Sequence, residues 1–270
     1  MVLKLIEKGW PLTHVIFYDT GMEFQAILNN WYKLSKYLEG LGIIPVYLKA
    51  EMPFWLEMLI KPTKKRDGSI SYGYDWCGGV CRWRTSAKVQ TINKYLETLD
   101  GDYTQYIGYA VDEPDRLDTK VSKIGNKVFP LVEWNMTEAE CLAYCYEMGY
   151  NWLEGDIELY QILKRVSCWC CKNKNLVELR NMYHYLPKYW GYLKGLQSRI
   201  DRPFYGDQTI FDLEERFKAE DAGTWKRKVK TKDDKPKKII TTVSKVEKTI
   251  KTETQIEFVF DNGKLTWSEN

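Results

Sequence analysis

His14-Val15-Ile16-Phe17-Tyr18 is a continuous apolar run that breaks at Asp19-Thr20-Gly21. A run of this length without polar alternation suits a strand buried on both faces, as in a parallel sheet. The next segment is helical in pattern. Phe24, Ile27, Leu28, Trp31, Leu34, Leu38 and Leu41 recur at helical spacing, and Gly42 ends the pattern. Ile43 to Leu48 then reads as a second strand. Strand, helix and strand in that order predict a parallel β-α-β unit. In open sheets of this kind ligands bind beyond the carboxyl ends of the strands, which is where Asp19, Thr20 and Gly21 fall.

The same reading extends in both directions. Met1 to Gly9 has the pattern of the back half of a helix, closed by Gly9 and Pro11. Residues 61–75 read as loop, and 76–85 as a turn rich in cysteine and arginine. A helix from Ser86 carries Val89, Ile92 and Leu96. Tyr106 to Val111 reads as a third strand, ending in Asp112-Glu113-Pro114, and Lys127 to Val132 as a fourth. Thr137 and Glu140 form a capping box for a helix that ends at Gly149. Further helices are expected over 156–164, 175–186 and 187–199. The expected fold is therefore α/β, a mostly parallel, Rossmann-like sheet flanked by helices. The pattern changes after residue 222. A basic linker is expected over 223–253, and alternation around Asp261-Asn262-Gly263 predicts a small β-hairpin over 254–270.

Bulk composition narrows the class. A chain of 270 residues with 44% hydrophobic and 29% charged residues reads as globular, and 11 Trp and 19 Tyr predict an aromatic core. No apolar run approaches the roughly 20 residues that a membrane-spanning helix needs. The opening Met1-Val2-Leu3-Lys4-Leu5-Ile6-Glu7-Lys8 is too short and too charged for a secretory signal. These features point to a cytoplasmic protein with no membrane partner. The charge is unevenly spread. Residues 226–251 hold eleven Lys and Arg against three acidic residues, a net of +8, which leaves the rest of the +3 chain at −5. Such a segment is most often a solvated linker, and it also suits nucleic acid.

Seven cysteines, an odd number, argue for metal or redox use rather than a disulfide framework. With only His14 and His184 present, histidine-based metal sites and most histidine-activated nucleophiles are excluded as leading readings. The segment from Trp76 to Lys88 brings Cys77, Cys81, Arg82, Arg84 and Lys88 to the mouth of a helix. Guanidinium forks there favour phosphate or sulfate oxygens, although a solvated basic turn has the same composition. Cys77 and Cys81, with Cys168 and Cys171, supply four thiolates, and Cys170 is an alternative ligand. Four thiolates suit zinc or an iron–sulfur cluster, and free thiols or a redox pair remain open. Cys141 and Cys145, four apart on a helix, read as packing residues. Asp112, Glu113 and Arg116 read as nucleotide or metal-ion contacts, or as an exposed ion pair in a charged loop. Asp19-Thr20-Gly21 occurs once, after a parallel-type strand, which argues against an aspartic protease with its paired carboxylates.

Five segments in order resemble the phosphoadenosine phosphosulfate reductase family, of the adenine nucleotide alpha-hydrolase-like (PP-loop) superfamily. They are Val15 to Gly21, Trp76 to Lys88, Tyr106 to Arg116 (with Gly108, Asp112, Glu113 and Arg116), Phe129 to Trp134, and Ser167 to Cys171. The resemblance covers residues 1 to about 220. It implies a sheet-and-helix domain that binds ATP or an adenylyl sulfate. Asp19, Gly21, Asp112 and Arg116 would flank the nucleotide, and Arg82, Arg84 and Lys88 would meet phosphate or sulfate. It also implies thiol chemistry served by a reductant protein, and an iron–sulfur cluster in relatives with two cysteine clusters this far apart. Two departures are visible. No Ser-Gly-Gly-Lys-Asp-Ser-type phosphate loop is present, and Met1 to Trp10 resembles the tail of the helix that follows that loop. The family's late Glu-Cys-Gly redox motif is also absent. The expectation that follows is a chain start assigned too late, or a fragment lacking an internal strand.

Overall fold

The apolar run folds as expected. In a computed structural model, β1 (His14–Asp19) pairs in parallel with β2 (Ile44–Lys49), from His14 opposite Ile44 to Asp19 opposite Lys49. The helix between them, α2 (Gln25–Gly40), buries Ala26, Trp31 and Leu38. Trp31 stacks on Phe17 of β1 at 5.0 Å between ring centroids. Gly42 takes the left-handed φ of 72° that lets the chain leave α2. The helix before β1, α1 (Val2–Glu7), packs Val2 and Ile6 against the same small core of Val15, Trp31 and Leu38.

The structure describes residues 1–77, 81, 87–119 and 125–225, together with the backbone of Ile256–Asp261 and Lys264–Glu269. Among the described residues the chain is mixed α/β, with eleven helices and five two-stranded sheets. It divides into a unit of Met1–Trp225 and a second of Lys226–Asn270. In the second, β9 and β10, named here by their place in the chain, are Ile256–Asp261 and Lys264–Glu269. They pair antiparallel, with Asp261 opposite Lys264. Asn262 and Gly263, on which the hairpin expectation rested, lie outside the described residues, as does the basic stretch 226–255.

Several elements of the first unit differ from expectation, for local reasons. Residues 61–75 contain a short antiparallel hairpin, β3 (Pro62–Lys64) with β4 (Ile70–Tyr72), after α3 (Phe54–Leu59). Asp67 closes its turn by accepting the Ser69 N–H at 2.9 Å, and Gly68 adopts φ 84°. After α4 (Lys88–Leu96), the third strand is cut to β5 (Gln105–Tyr106). The Tyr109 N–H turns back to the Ile107 carbonyl at 3.0 Å, which removes it from the ladder. Beyond α5 (Pro114–Leu117), the fourth strand is cut to β6 (Lys127–Val128), parallel to β5. Pro130 lacks an N–H for the ladder and instead starts α6 (Pro130–Glu133). Among the described residues the expected mostly parallel sheet is not formed: the five two-stranded sheets are two parallel pairs, β1–β2 and β5–β6, and three antiparallel ones.

α7 (Glu138–Glu147) begins at the expected Thr137/Glu140 capping box. The stretch expected to be helical from 156 opens instead with a hairpin, β7 (Leu153–Glu154) with β8 (Ile157–Glu158). Only the single turn α8 (Leu159–Ile162) follows. Three helices then complete the unit: α9 (Leu176–Tyr185), α10 (Pro187–Gln197) and α11 (Ile210–Asp221). They enclose the main core, in which Leu179, Met182, Leu193, Ile210, Leu213 and Phe217 are wholly buried.

Gly73 joins the β3–β4 hairpin to Trp76, which is 1% exposed in this core. It adopts φ 70°, and a Cβ there would collide with the Met58 carbonyl. Gly73→Ala should therefore lower unfolding stability by about 2 kcal/mol or more, measured by chemical denaturation.

Candidate functional site

At the end of β1 the carboxylate of Asp19 is 5% exposed, and its partners account for that burial. Oδ1 accepts the Gly21 N–H at 2.7 Å, Oδ2 accepts the Tyr47 hydroxyl from β2, and the Lys49 ammonium lies 3.6 Å from Oδ2. Burial, and next the hydrogen bond to Asp19, push the Tyr47 phenol well above its ordinary value, so it stays a protonated donor. Asp19 therefore shapes the loop. Gly21 at φ 77° provides the sharp exit that the Asp19 bond closes.

Thr20 points the other way. Its hydroxyl donates to Glu23 Oε1 at 3.0 Å, accepts the Met22 N–H at 3.2 Å and lies 3.3 Å from the Cys168 sulfur. The Cys168 thiol also reaches Glu23 Oε1 at 3.8 Å. A backbone bond from the Trp169 N–H to the Met22 carbonyl, 3.0 Å, fixes the same approach. The late cysteine motif thus rests on the end of β1, from 148 residues away in sequence.

The segment that makes this contact is closed by one buried carboxylate. Glu178, in the first turn of α9, is 8% exposed. Its Oε1 accepts the N–H groups of Lys164 at 3.0 Å and Arg165 at 3.5 Å, and its Oε2 accepts that of Asn175 at 2.9 Å. The two ends of the 164–175 stretch are therefore held together. Arg165, at its start, reaches Glu113 at 2.9 Å and Glu138 at 3.0 Å. Because Arg165 and Cys168 are three residues apart, a single short stretch touches both the end of β1 and the end of the β5 segment.

The charged residues after β5 are engaged within the protein. Glu113 is bonded to Arg116 at 2.8 and 2.9 Å, and Arg116 stacks over the Tyr109 ring at 4.1 Å. Asp112 caps α7 by accepting the Glu138 N–H at 3.0 Å. A Cβ on Gly108 would sit 3.4 Å from the Met1 sulfur, so this glycine makes room for the first residue. Burial works to raise the Glu113 carboxyl, but hydrogen bonding and charge from Arg116 outweigh it, and the group lies below its ordinary value. Lys88 opens α4 and is exposed. Arg82 and Arg84 lie outside the described residues.

Cys168 and Cys170 are buried in the main core, and Cys77 and Cys81 pack against the same cluster. Cys171 is half-buried. Burial, and next the neighbouring Cys168 and Cys171, push the Cys170 thiol far up, with a smaller effect from Cys81. The two cysteine motifs therefore approach one another. Among the described residues no group of three or more His, Cys, Asp or Glu side chains converges closely enough to hold a metal ion. Cys141 and Cys145 are half-buried on α7, with thiols raised by burial, in keeping with packing residues.

Sequence reasoning did not single out Glu23, Tyr47, Arg165, Lys174 or Glu178. Lys174 is 4% exposed beside the cysteines, and burial lowers its ammonium, against the pull of Cys171. Its place in Lys172-Asn173-Lys174, directly after Cys171, was the available signal.

No protein-family model matches the chain, and no solved structure matches it significantly. It is 23% identical over 199 residues to a Methanocaldococcus jannaschii protein described as the uncharacterized protein MJ0066. The match takes in 70% of this chain, which spans only 37% of that protein's length. No helix among the described residues is long and apolar enough to cross a membrane.

Two substitutions test this geometry. Glu178→Ala should lower stability by about 3 kcal/mol, since three backbone donors lose their charged acceptor; urea denaturation gives the value. Glu113 has a depressed folded-state pKa, so its contribution is complete above the unfolded value, near 4.5, and is lost as pH falls through the folded one. Glu113→Gln should flatten the fall in stability on acidification through that range, read from melting temperatures between neutral and acid pH.

Proposed function

We propose that this chain is a nucleotide-binding protein related to the phosphoadenosine phosphosulfate reductases. It would bind ATP or an adenylyl sulfate at the carboxyl ends of β1 and β5 and carry out sulfur- or adenylyl-transfer chemistry assisted by thiols or a metal. In this reading the two parallel pairs are parts of one Rossmann-like, adenine nucleotide alpha-hydrolase-like sheet. The observation that carries it is the 3.3 Å contact between Thr20, at the end of a parallel strand, and Cys168. It joins the two motifs of that resemblance that are farthest apart in sequence at the edge where such sheets bind ligands.

The roles follow from chemistry. Asp19 has its oxygens committed to Gly21 and Tyr47, so it holds the loop rather than the ligand. Lys49, 60% exposed at the rim, offers a cation to phosphate or sulfate oxygens. The Thr20 hydroxyl is committed to Glu23 and Gly108 packs on Met1, so these two shape the strand ends, and Arg82, Arg84 and Lys88 would add positive charge. Glu113 and Arg116 position Arg165, which is 62% exposed and able to meet an anion.

By residue type the donor set suits zinc or an iron–sulfur cluster, and holding either would require the sulfurs to come closer together than they stand among the described residues. Cys77, Cys81, Cys168 and Cys171 are soft ligands around one core, with Cys170 as alternative. One buried donor there, the Trp76 indole N–H, has no acceptor among the described residues. When bound, zinc would tie the two cysteine motifs together, and a cluster would add electron transfer from a reductant protein. The basic stretch 226–251, net +8, favours a second reading, in which a non-catalytic nucleotide fold or zinc-bearing adaptor binds nucleic acid.

Equilibrium binding decides between them. Micromolar affinity for ATP or adenylyl sulfate, reduced about tenfold by Lys49→Gln through loss of a charged hydrogen bond, is expected. Absence of nucleotide binding, together with salt-sensitive binding of DNA or RNA, would favour the second reading.

A further inference from the structure

We propose that the outward face of the β3–β4 hairpin binds single-stranded nucleic acid, the Tyr72 ring stacking on a base while Lys64, Lys65 and Arg66 meet phosphates. This goes beyond the proposed function. It involves neither the strand ends of β1 and β5 nor the basic stretch 226–251.

The hairpin wears its apolar side outward. Side chains alternate between the two faces of a strand, so Pro62, Lys64, Ile70 and Tyr72 share one face and Thr63 and Ser71 the other. A hairpin with one covered face ordinarily turns its apolar residues inward. Here Thr63 and Ser71 are half-buried, and Pro62, Lys64, Ile70 and Tyr72 are exposed. Ile70 is 63% exposed and Tyr72 is 68% exposed, which makes Tyr72 the most exposed aromatic side chain among the described residues. A slip of one residue would turn both inward, and the backbone holds against it. Across the turn the Lys65 N–H bonds the Ser69 carbonyl at 2.8 Å. At the root the Gly73 N–H bonds the Lys61 carbonyl at 2.8 Å, and the Asp75 N–H bonds the Met58 carbonyl at 3.1 Å. The apolar face is thus presented on a fixed ribbon.

The charge beside that face is uncompensated. Lys64 lies on it, and Lys65 and Arg66 continue into the turn. All three are exposed, and none forms an ion pair among the described residues. The one acid of the hairpin, Asp67, spends its carboxylate on the Ser69 N–H at 2.9 Å and the Ser69 hydroxyl at 2.6 Å. By contrast, Lys61 at the root pairs with Glu57, and Arg180, Lys194, Arg216 and Lys218 all have carboxylate partners. Three unpaired cations complement an anion, and a ring flanked by Pro62 and Ile70 complements a flat apolar surface. A single strand carries both, with phosphates along its backbone and bases free to stack on an aromatic ring. A duplex offers only the phosphates, because its base faces are already stacked on one another.

The test uses the full chain and a fluorescent single-stranded oligodeoxynucleotide of about 15 nucleotides, long enough for one such site. Binding is read by anisotropy over a salt series, with the same strand annealed to its complement as the duplex. The single strand should bind more tightly than the duplex. Tyr72→Ala should weaken it about tenfold, and Tyr72→Phe, which keeps the ring, should bind as the wild type does. Changing Lys64, Lys65 and Arg66 together to Gln should lower the slope of log affinity against log salt by about 2, for three lost phosphate contacts. These side chains are exposed, so melting temperatures should stay within about 2 °C of the wild type. Should Tyr72→Ala fold poorly, the charge variant decides alone. No binding of the single strand overturns the proposal, and so does equal or tighter binding of the duplex. Full affinity in Tyr72→Ala, or an unchanged salt slope in the charge variant, overturns it in favour of the stretch 226–251. Affinity for anionic phospholipid vesicles in place of the oligonucleotide overturns it in favour of a membrane surface. ATP affinity should be the same in all variants, and its absence counts against the proposed function alone.

Discussion

The carboxylate of Glu178 ties both ends of one stretch of this protein to the start of a helix. It caps α9, and it also gathers the N–H groups of Lys164, Arg165 and Asn175 around one buried charge. Charge-assisted bonds of this kind are about twice as strong as neutral ones, and inside a core they have no competition from water. The consequence is geometric. The nine residues between Arg165 and Asn175 are held in a compact excursion, and Trp169, between Cys168 and Cys170, is buried with them in the main core. That ring sits among Tyr189 and Tyr192 of α10, which sets the depth to which the cysteines are buried.

From that anchor the rest of the site follows. The stretch leaves Glu178, reaches Glu113 with Arg165, and meets Thr20 with Cys168. It therefore acts as a strap between the ends of β1 and of the β5 segment, two parallel pairs that share no ladder with each other among the described residues. The charged residues after β5 contribute to this strap. Asp112 holds the start of α7, and Glu113 receives two arginines, from positions 116 and 165. Groups that in sequence look like ligand contacts are here the scaffold that orients Arg165. Lys49 and Arg165, by contrast, keep their side chains well exposed around the rim.

The local grammar of the chain was legible wherever one neighbourhood decided the outcome. The apolar run before Asp19, the helical spacing from Phe24 to Leu41 and the Thr137/Glu140 box each became the expected element. Reading failed where a single backbone bond overrode apolar content. Tyr106 to Val111 looks like a strand, but the turn at Ile107–Tyr109 ends it, and Pro130 ends the next one. The Asp67-Gly68 turn was a hairpin signal passed over because its strands are only three residues long. α11 went unassigned, although its Thr209/Asp212 cap is visible in the sequence.

The sequence by itself determined the kinds of chemistry on offer: soft sulfur donors in two clusters, arginines and lysines near a helix mouth, an acidic loop after an apolar strand, and too few histidines for imidazole chemistry. Those are properties of residue types, and composition and spacing carry them. Only the tertiary structure decided which of them meet. That Thr20 rests on Cys168, that the Lys174 side chain is almost wholly buried, and that Asp112 is spent on a helix cap are all long-range outcomes. Burial sets them, because it removes water as the alternative partner and makes each polar group find its neighbour within the fold.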